Sequence, residues 1–383
     1  MKILFVSMPS VHAIRWINQF EAEGHELYWF DILDRGSAPF TCKIIQITGW
    51  KKNKINISGK SFFKKTFPSV YQRIQGAIEV TPSEVVSQLL ATHHFNIVHS
   101  FEMQHCSVPL LPALKKHPKV LWLYSCWGSD LFHYKENKRH KKQILEVLQR
   151  VDYIHTDCRR DFTIARELGF KGSHFGVFPG GGGYPIAVFE KYIVPVSKRE
   201  TIVLKGYQHT FGKALSVIEA FQKNPEQYST LNLIVFSAHS EVVVACKPLT
   251  AIFKKVTVYD RNTKLAQEEM MQLMGQALLY IGNSTSDGMP NTLLEAIIMG
   301  AFPIQSNPGG VTEEVIEDET NGLLIAAPEN PSYIAERITK ALNDRDLIKN
   351  AFKINQDQKS RWEYQTIKNN VFKAYQVLLK SNS

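Results

Sequence analysis

Two carboxylates are the first candidates for chemistry in this 383-residue sequence. Asp287 lies in a polar loop, and Glu295 lies eight positions later, in the first turn of the helix that is predicted to follow. One acid could face a reacting sugar while the other accepts the hydroxyl groups of a ribose. In the alternative interpretation, Asp287 is a solvated loop acid and Glu295 closes a capping box with Thr292. The spacing leaves both interpretations open.

The loop between these elements favours the binding of an anion. Residues 284–291 contain Gly288 and Pro290 and lead directly into the predicted helix. Backbone amide groups and the positive end of the helix dipole meet at a helix start, which therefore attracts negative charge. A diphosphate would fit this position.

The elements around the loop have the order of half a doubly wound sheet. The apolar run 277–281 has the length of a buried strand, and a second apolar strand begins near Phe302 after the helix. Ligands of open α/β sheets bind outside the carboxyl ends of the strands, which is where this loop would lie.

One stretch carries a specific resemblance. Ser286-Asp-Gly-Met-Pro-Asn-Thr-Leu-Leu-Glu-Ala296, with Gly300-Ala-Phe-Pro303, Gly309-Gly310 and Asn321-Gly-Leu-Leu324, resembles the donor-binding region of family 4 (group 1) glycosyltransferases. These are retaining enzymes of the GT-B fold. The resemblance implies an α/β chain of two Rossmann-like, doubly wound domains that face each other across a cleft. The family usually has Glu-x7-Glu here, whereas the first acid of this chain is Asp287, one methylene shorter.

The resemblance also implies roles for residues of the C-terminal half. Lys205 and Lys213 fall near the arginine and lysine that hold the donor diphosphate, although the spacing is longer and Gly212-Lys213 reverses the usual order. The implied catalytic residues are Asp287, Glu295 and Lys205. The implied donor-binding residues are Gly288, Met289, Pro290, Asn291, Thr292, Lys213, Tyr259 and Arg261, the last two beside the nucleobase.

The N-terminal domain receives the acceptor in the resembled family. Trp127-Gly-Ser-Asp130 resembles a family element of that domain, and four glycines at 180–183 allow close backbone approach. The expected acceptor-side residues are His12, Arg15, Trp127, Asp130 and Gly181. The alternatives are an exposed histidine, a packing tryptophan, an aspartate that caps the next helix, and a flexible linker at the glycines.

The function implied by the resemblance is glycosyl transfer from a nucleotide-sugar, as co-substrate, to a hydroxyl of a glycan or lipid-linked acceptor, with retention and without a metal or other cofactor. A nucleotide-sugar epimerase of the same architecture is one alternative. A relative that only binds a nucleotide or glycan is the other, because Asp287 and Trp127 replace usual residues. A dehydrogenase is disfavoured because the first strand lacks the Gly-x-Gly-x-x-Gly fingerprint.

Periodicity and the resemblance together predict the organisation of the chain. We expect an acceptor-binding domain over 1–194, a donor-binding domain over 195–363, a C-terminal helix over 364–383 that packs back on the first domain, and a hinge near 185–196. The predicted strands are 3–6, 27–30, 96–100, 120–125, 151–155, 201–204, 231–236, 256–259 and 277–281. The predicted helices include 12–23 and 311–317.

Composition restricts the environment and the partners. The sequence has 45 Lys and Arg against 36 Asp and Glu, a net charge of +9, which favours anionic partners. It shows no nucleic-acid motif, and its five cysteines lack metal or disulfide spacing. No apolar run reaches the roughly 18 residues of a membrane span. We therefore expect a cytoplasmic protein.

A basic segment suggests contact with a membrane surface. Residues 51–68 interleave lysines with Phe62, Phe63 and Phe67. Lysines can meet anionic headgroups while aromatic rings enter the interface. The alternative is a solvated loop with a few anchoring rings. A peripheral position at the inner membrane face is thus a hypothesis of the sequence.

Overall fold

The computed structural model describes residues 1–21, 24–55 and 60–380. The chain forms two compact units. The first contains Met1–Asp157, Asp161–Gly182 and Asn370–Ser383, and the second contains Cys158–Arg160 and Gly183–Asn369. The main segment of the second unit therefore starts at Gly183, whereas the sequence predicted a start at position 195. The assignment of acceptor and donor to the two units stays a prediction.

The first unit is built on a seven-stranded parallel sheet of order β3-β2-β1-β4-β5-β6-β7. Most of its strands are buried apolar runs, as expected of a parallel sheet covered on both faces. The strands are β1 (Lys2–Ser7), β2 (Glu26–Asp31), β3 (Ile45–Ile47), β4 (Ile97–Phe101), β5 (Leu121–Ser125), β6 (Tyr153–Thr156) and β7 (Ser173–Val177).

Helices connect these strands, and the α-helices up to the last strand of this sheet are α1 (Val11–Asn18), α2 (Lys60–Thr66), α3 (Pro68–Ile78), α4 (Pro82–Thr92), α5 (Val108–Lys116), α6 (Ser129–Phe132), α7 (Lys138–Leu148) and α8 (Arg159–Glu167). Helix α1 is shorter than the predicted 12–23. The amides of Gln19 and Phe20 bond to carbonyls three residues earlier, which tightens the turn and ends the helix. Residues 22–23 lie outside the described part of the chain.

The second unit repeats the arrangement with a six-stranded parallel sheet of order β10-β9-β8-β11-β12-β13. Its strands are β8 (Thr201–Lys205), β9 (Asn232–Ala238), β10 (Lys255–Asp260), β11 (Ala277–Gly282), β12 (Phe302–Ser306) and β13 (Leu323–Ile325). The remaining helices are α9 (Ile186–Phe189), α10 (Ala214–Phe221), α11 (Ser240–Ala245), α12 (Gln267–Gln276), α13 (Asn291–Met299), α14 (Pro331–Asn343), α15 (Arg345–Gln358) and α16 (Tyr364–Lys380). The prediction of an α/β chain with two Rossmann-like sheets is confirmed.

Alternation along β8 shows why this sheet is stable. Ile202 and Leu204 pack into one apolar cluster, whereas Val203 between them packs into another. Side chains of a strand point to opposite faces in turn, so the sheet has a core on each side. The carboxyl edge of the sheet lies between these two apolar layers, and ligands of doubly wound sheets bind at this edge.

The predicted helix 311–317 is wrong. The chain forms two short 3-10 turns instead, Pro308–Gly310 and Thr312–Glu314. Gly309 and Gly310 have φ of 61° and 80°, a left-handed conformation that breaks a helix start. Glu314 then accepts hydrogen bonds from the amides at the start of α8 at 2.9 and 3.0 Å.

The last helix contributes to both units, because the second ends at Asn369 and the first resumes at Asn370. Within the first unit, the hydroxyl of Tyr375 accepts a hydrogen bond from Trp16 Nε1 at 3.3 Å. The ring of Phe372 packs edge-on against Phe20, with centroids 4.8 Å apart. Among the described residues, no helix combines the length and apolarity that a membrane crossing requires. All five cysteines are described, and none forms a disulfide.

Candidate functional site

The loop that carries Asp287 lies at the switch point of the second sheet. Strands β8 and β11 are neighbours at its centre, and the strand order runs outward from them in both directions. Leu204 of β8 pairs with Ile281 of β11, which brings Lys205 and the loop after Gly282 to one edge. Such an edge forms the binding crevice of doubly wound sheets.

Helix α13 begins at Asn291, with Pro290 in the N-cap position. The predicted capping box is therefore wrong, because Thr292 is already the second helical residue. Its hydroxyl forms a hydrogen bond with the Tyr280 hydroxyl at 2.8 Å instead. Proline offers no side-chain acceptor to the first amides of the helix. The positive end of the helix dipole favours an anion at this position. Gly288 and Met289 lead into it.

Lys205 and Asp287 form an ion pair inside this crevice. The Nζ of Lys205 is 3.7 Å from an Asp287 carboxylate oxygen and lies 4.6 Å from the centre of the Tyr207 ring. Burial by itself lowers the pKa of Lys205, but the charge of Asp287 and neighbouring groups offset it, and the pKa is raised above its ordinary value. Lys205 is therefore a permanent cation at the end of β8.

Lys213 lies next to the same loop. Its amide donates to the carbonyl of Asn283 at 3.0 Å, and the Asn283 side chain donates to the carbonyl of Lys213 at the same distance. Its Nζ forms an ion pair with Glu329 at 2.7 Å. The structure thus brings both predicted phosphate-binding lysines to the carboxyl edge, each paired with a carboxylate.

A cluster of rings and cations borders Lys205, and sequence reasoning missed most of it. Tyr207, His209 and His239 lie with ring centres 5.6 to 5.8 Å apart. Arg261 contacts His239 and lies 5.7 Å from the centre of the Tyr207 ring. Burial first, and then the neighbouring positive groups, lower the pKa of His209. No motif in the sequence marked these histidines, which lie after two separate strands, β8 and β9.

The predicted base-binding pair divides between strand and turn. Tyr259 is a half-buried residue of β10, whereas Arg261 follows the strand and its amide donates to the carbonyl of Ala238 at 2.9 Å. Arg261 therefore joins the ring cluster, whereas Tyr259 lies on β10, two strands away from Lys205 on β8. Both residues are close enough to the edge to border a base, and their role stays a prediction.

Arg160 is a second residue that sequence reasoning missed. One guanidinium nitrogen donates to the carbonyl of Pro308 at 2.6 Å and the other to the carbonyl of Asp287 at 2.7 Å. The loops after β11 and β12 are thereby tied together. Arg160 belongs to the second unit but is 127 positions away from Asp287, so no local signal could have found it.

Glu295 is buried, with 6% of its surface exposed, on the inner side of α13. Burial raises the pKa of the nearby Tyr280 to about 12, with Asp287 and Glu295 contributing to the rise. Glu295 is therefore not a solvated acid, and Asp287 is half-buried in its ion pair. Glu295 lies on α13 and Asp287 on the loop that leads into α13. Their catalytic roles stay predictions.

Four of the five expected acceptor-side residues form two pairs at the carboxyl edge of the first sheet. The exposed ring of His12 lies edge-on to Trp127, with centroids 6.1 Å apart. Gly181 lies so close to Arg15 that a Cβ there would be 3.5 Å from the guanidinium. This arrangement gives the edge beside β1 two cationic or aromatic contacts.

Asp130 differs from the other four because only 3% of its surface is exposed. Its carboxylate accepts hydrogen bonds from the Tyr124 hydroxyl at 2.6 Å, the Met103 amide at 3.0 Å and the Trp127 amide at 3.0 Å. Burial is the main reason that its pKa is raised to about 7. Asp130 therefore holds the loop that carries Trp127.

His99 and Glu102, which follow the same edge, are also structural. His99 lies fully buried between Tyr375 and Ser125, with hydrogen bonds of 2.7 Å to each hydroxyl. Glu102 has a left-handed φ of 71° and accepts hydrogen bonds from the next amides of the chain, including that of Gln104 at 3.0 Å. Burial lowers the pKa of His99 well below its ordinary value, so the ring is neutral.

Comparison with known proteins relates the C-terminal part of the chain to a described family. Residues 213–358 match the family model described as glycosyl transferases group 1. No curated protein sequence matches the chain. The model match contains α13, its entry loop and Lys213, and it leaves out Lys205. It supports the predicted relation of the C-terminal half to group 1 glycosyltransferases, while membership of family 4 stays a prediction.

Three solved structures have similar folds over nearly the whole chain. HepE of Anabaena, in complex with UDP and glucose, has 13% identity and a TM-score of 0.69, covering 98% of this chain and 100% of that one. Sucrose-phosphate synthase of Thermosynechococcus elongatus has 14% identity and a TM-score of 0.68, and the match covers 100% of each chain. A glycosyltransferase of Rickettsia africae has 15% identity and a TM-score of 0.66, covering 99% of this chain and 98% of that one. At these identities the similarity shows the fold, which is GT-B.

Proposed function

We propose that this chain transfers a sugar from a nucleotide-sugar to a hydroxyl group of an acceptor. The observation that carries the proposal is the crevice at the switch point of the second sheet. There Lys205, Lys213 and the start of α13 direct positive charge to one edge. The match of residues 213–358 to group 1 glycosyltransferases supports the same reaction class.

A uridine nucleotide is the first donor to consider. HepE was crystallised with UDP and with UDP-glucose, and it has the same fold as this chain. A diphosphate on the crevice would place the nucleoside towards Tyr207, His239 and Arg261, which offer rings and a cation to a base. We therefore propose a UDP-hexose donor and a hexosyltransferase.

The charges of the site suit departure of the diphosphate. In the reaction, the bond between the anomeric carbon and the diphosphate oxygen breaks. The acceptor oxygen bonds to that carbon and gives its proton to the departing diphosphate, directly or through water. Negative charge grows on the leaving oxygen, where Lys205 and the helix start stabilise it. These groups supply the charge that a divalent cation supplies in other enzymes, so we propose transfer without metal. We propose retention of the anomeric configuration on a separate ground, the resemblance of residues 286–296 to the retaining family 4 glycosyltransferases. Asp287 and Glu295 would orient the hydroxyl groups of the donor.

We assign the acceptor to the first unit. His12, Trp127, Arg15 and Gly181 lie in pairs beside β1, where a saccharide could stack on a ring and bond to a guanidinium. Asp130 supports this loop from below its surface. The proposed acceptor is a glycan or lipid-linked saccharide, consistent with polysaccharide biosynthesis.

A surface patch on α2 and α3 supports contact with an anionic membrane. Phe62 is 71% exposed and Phe67 is 50% exposed, beside the exposed Lys64 and Lys65. Positions 56–59 of the predicted basic segment lie outside the described residues. We propose peripheral binding at the cytoplasmic face of the inner membrane, with which five cysteines that form no disulfide are consistent. Flotation with anionic liposomes tests it, and Phe62→Ser should reduce the bound fraction.

The donor site is tested by thermal shift and product analysis with UDP-, GDP-, ADP- and TDP-sugars in the presence of EDTA. The variants are Glu295→Ala and Lys205→Ala, with Lys254→Ala as a matched control because Lys254 is an exposed lysine of the same unit. One nucleotide should raise the unfolding temperature of the wild type and of the control and leave both site variants unchanged.

The products separate the alternatives. A new glycoside, or slow release of free sugar from the donor, supports the transferase. An epimerised donor formed without acceptor would show an epimerase, and stable binding without turnover in any acceptor mixture would show a binding protein. If no nucleotide shifts the unfolding temperature, the donor site drawn around Gly288 and Lys205 is wrong.

A further inference from the structure

A groove of about 950 Å³ lies entirely within the first unit. Its walls come from α3, α4, α5, α7 and the turn after β4, so it is separate from the residues beside β1 that were assigned to the acceptor. Cavities that hold small ligands have volumes of about 300 to 1,000 Å³. The groove therefore has room for a short oligosaccharide.

The groove carries positive charge. Lys116 at the end of α5 and Arg139 at the start of α7 line it, together with one carboxylate, Glu84. That carboxylate is already paired with Lys54. His105 also lines the groove, where its ring is hydrogen-bonded to Glu102 at 3.3 Å, and this bond raises the pKa of His105.

The first turn of α7 adds to this charge against the preference of the helix itself. Lys138, Arg139, His140 and Lys141 open the helix, where the dipole favours acids and disfavours cations. Asn137 caps the helix by accepting hydrogen bonds from two of its amides at 3.0 and 3.2 Å. Four basic or imidazole groups at this end destabilise the helix, which a ligand of opposite charge would offset.

The wall of the groove is polar and incompletely bonded. Within the described part of the chain, Gln104 Oε1 and His140 Nδ1 are buried without a hydrogen-bond partner. The ring of Tyr134 packs edge-on against His140, with centroids 4.8 Å apart, and the hydroxyls of Ser83 and Ser87 line the opposite helix. Hydroxyl-rich ligands satisfy such groups, because each sugar hydroxyl both donates and accepts.

We propose that this groove binds a saccharide that carries phosphate or carboxylate groups. Positive charge supplies the attraction, while the amide, hydroxyl and aromatic groups of the wall recognise the sugar. That the bound saccharide is the charged portion of the acceptor rests on the proposed function. The binding itself does not, since every lining residue lies in the first unit.

The test measures direct binding without any nucleotide. Isothermal titration compares trigalacturonate with uncharged maltotriose, and glucose 6-phosphate with glucose. The groove variant is Lys116→Gln with Arg139→Gln. The control is Lys115→Gln with Lys142→Gln, which removes two exposed lysines from the same helices but outside the groove. We expect the wild type and control to bind an acidic saccharide and the groove variant to bind it at least about tenfold more weakly.

Each further outcome decides for or against the proposal. Equal weakening in the control would show non-specific attraction by charge, and equal affinity for maltotriose would show that the anionic group is not recognised; either result overturns the proposal. Stronger binding of an oligonucleotide or of anionic vesicles, lost in the groove variant, would assign the groove to that ligand instead. Because the nucleotide shift is measured separately, a failed donor site would leave this result unaffected.

Discussion

Arg160 and Asp287 are joined by a hydrogen bond of 2.7 Å from the guanidinium to the main-chain carbonyl, across 127 positions of sequence. The second arm of Arg160 reaches the carbonyl of Pro308 at 2.6 Å. The loop that carries the first acid of the site is therefore held in part by a residue of α8, in addition to the bonds that its own amides make, such as that of Thr285 to the carbonyl of Phe211. We expect its geometry to depend partly on that cation.

Replacing Arg160 by alanine should loosen both loops. Two charge-assisted hydrogen bonds are lost, and each contributes about 1.5–3 kcal/mol. We expect nucleotide affinity to fall by about tenfold or more, measured by titration at constant protein stability. Arg159→Ala is the matched control. The side chain of Arg159 is exposed, and the amide of residue 159 can still donate to Glu314 in the variant. Equal effects of the two variants would contradict a positioning role for Arg160.

This contact marks the limit of what the sequence could predict. Buried apolar runs such as 201–204 and 277–281 made the central strands recognisable, since a parallel strand is apolar on both faces. Short edge strands did not stand out: β7, with the sequence Ser-His-Phe-Gly-Val, lacks an apolar run. Periodicity therefore found the middle of each sheet better than its edges.

The site divides in the same way. The loop around Asp287 and the two lysines were predicted, because their motif is contiguous or lies near a strand end. Arg160, His209 and His239 were missed, because only the folded sheet brings them to the crevice. The predicted capping box had Thr292 as the N-cap residue. It was wrong because the helix starts earlier, with Pro290 as the N-cap and Asn291 as the first helical residue.

The ion pair between Asp287 and Lys205 predicts a division between binding and turnover. In Asp287→Asn the bound diphosphate replaces the carboxylate as the negative partner of Lys205, so the dissociation constant of the nucleotide should change by less than about threefold. Turnover should fall by about a hundredfold if Asp287 orients the sugar. Asp287→Glu, which restores the acid usual in the resembled family, should keep measurable turnover. Equal turnover in Asp287→Asn and wild type would exclude a role in the reaction.

Asp130 predicts a dependence of stability on pH. Its pKa is raised from an ordinary 3.8 to about 7, mainly by burial, so the folded state holds a proton that the unfolded state releases. Stability from this group is therefore greatest at low pH and is lost as pH rises from about 4 to 7. The loss between pH 5 and 7 is about 2 kcal/mol. Denaturant unfolding of wild type and Asp130→Asn should show a difference in free energy that changes by this amount, and parallel curves would contradict it.

Tyr375 predicts how firmly the last helix is held. Its hydroxyl bonds His99 Nδ1 at 2.7 Å and accepts from Trp16 Nε1 at 3.3 Å, in a fully buried network. Tyr375→Phe removes the oxygen that bonds His99 Nδ1 and Trp16 Nε1. An unsatisfied buried polar group costs about 1–3 kcal/mol. We expect a loss of unfolding free energy in that range, measured in urea, while Tyr333→Phe on the half-buried surface of α14 should change it by less than about 0.5 kcal/mol. Hydrogen exchange locates the effect: amides of α16 from Asn370 onward should exchange faster in Tyr375→Phe. If their protection were unchanged, the polar network would not be what fastens this helix to the first unit.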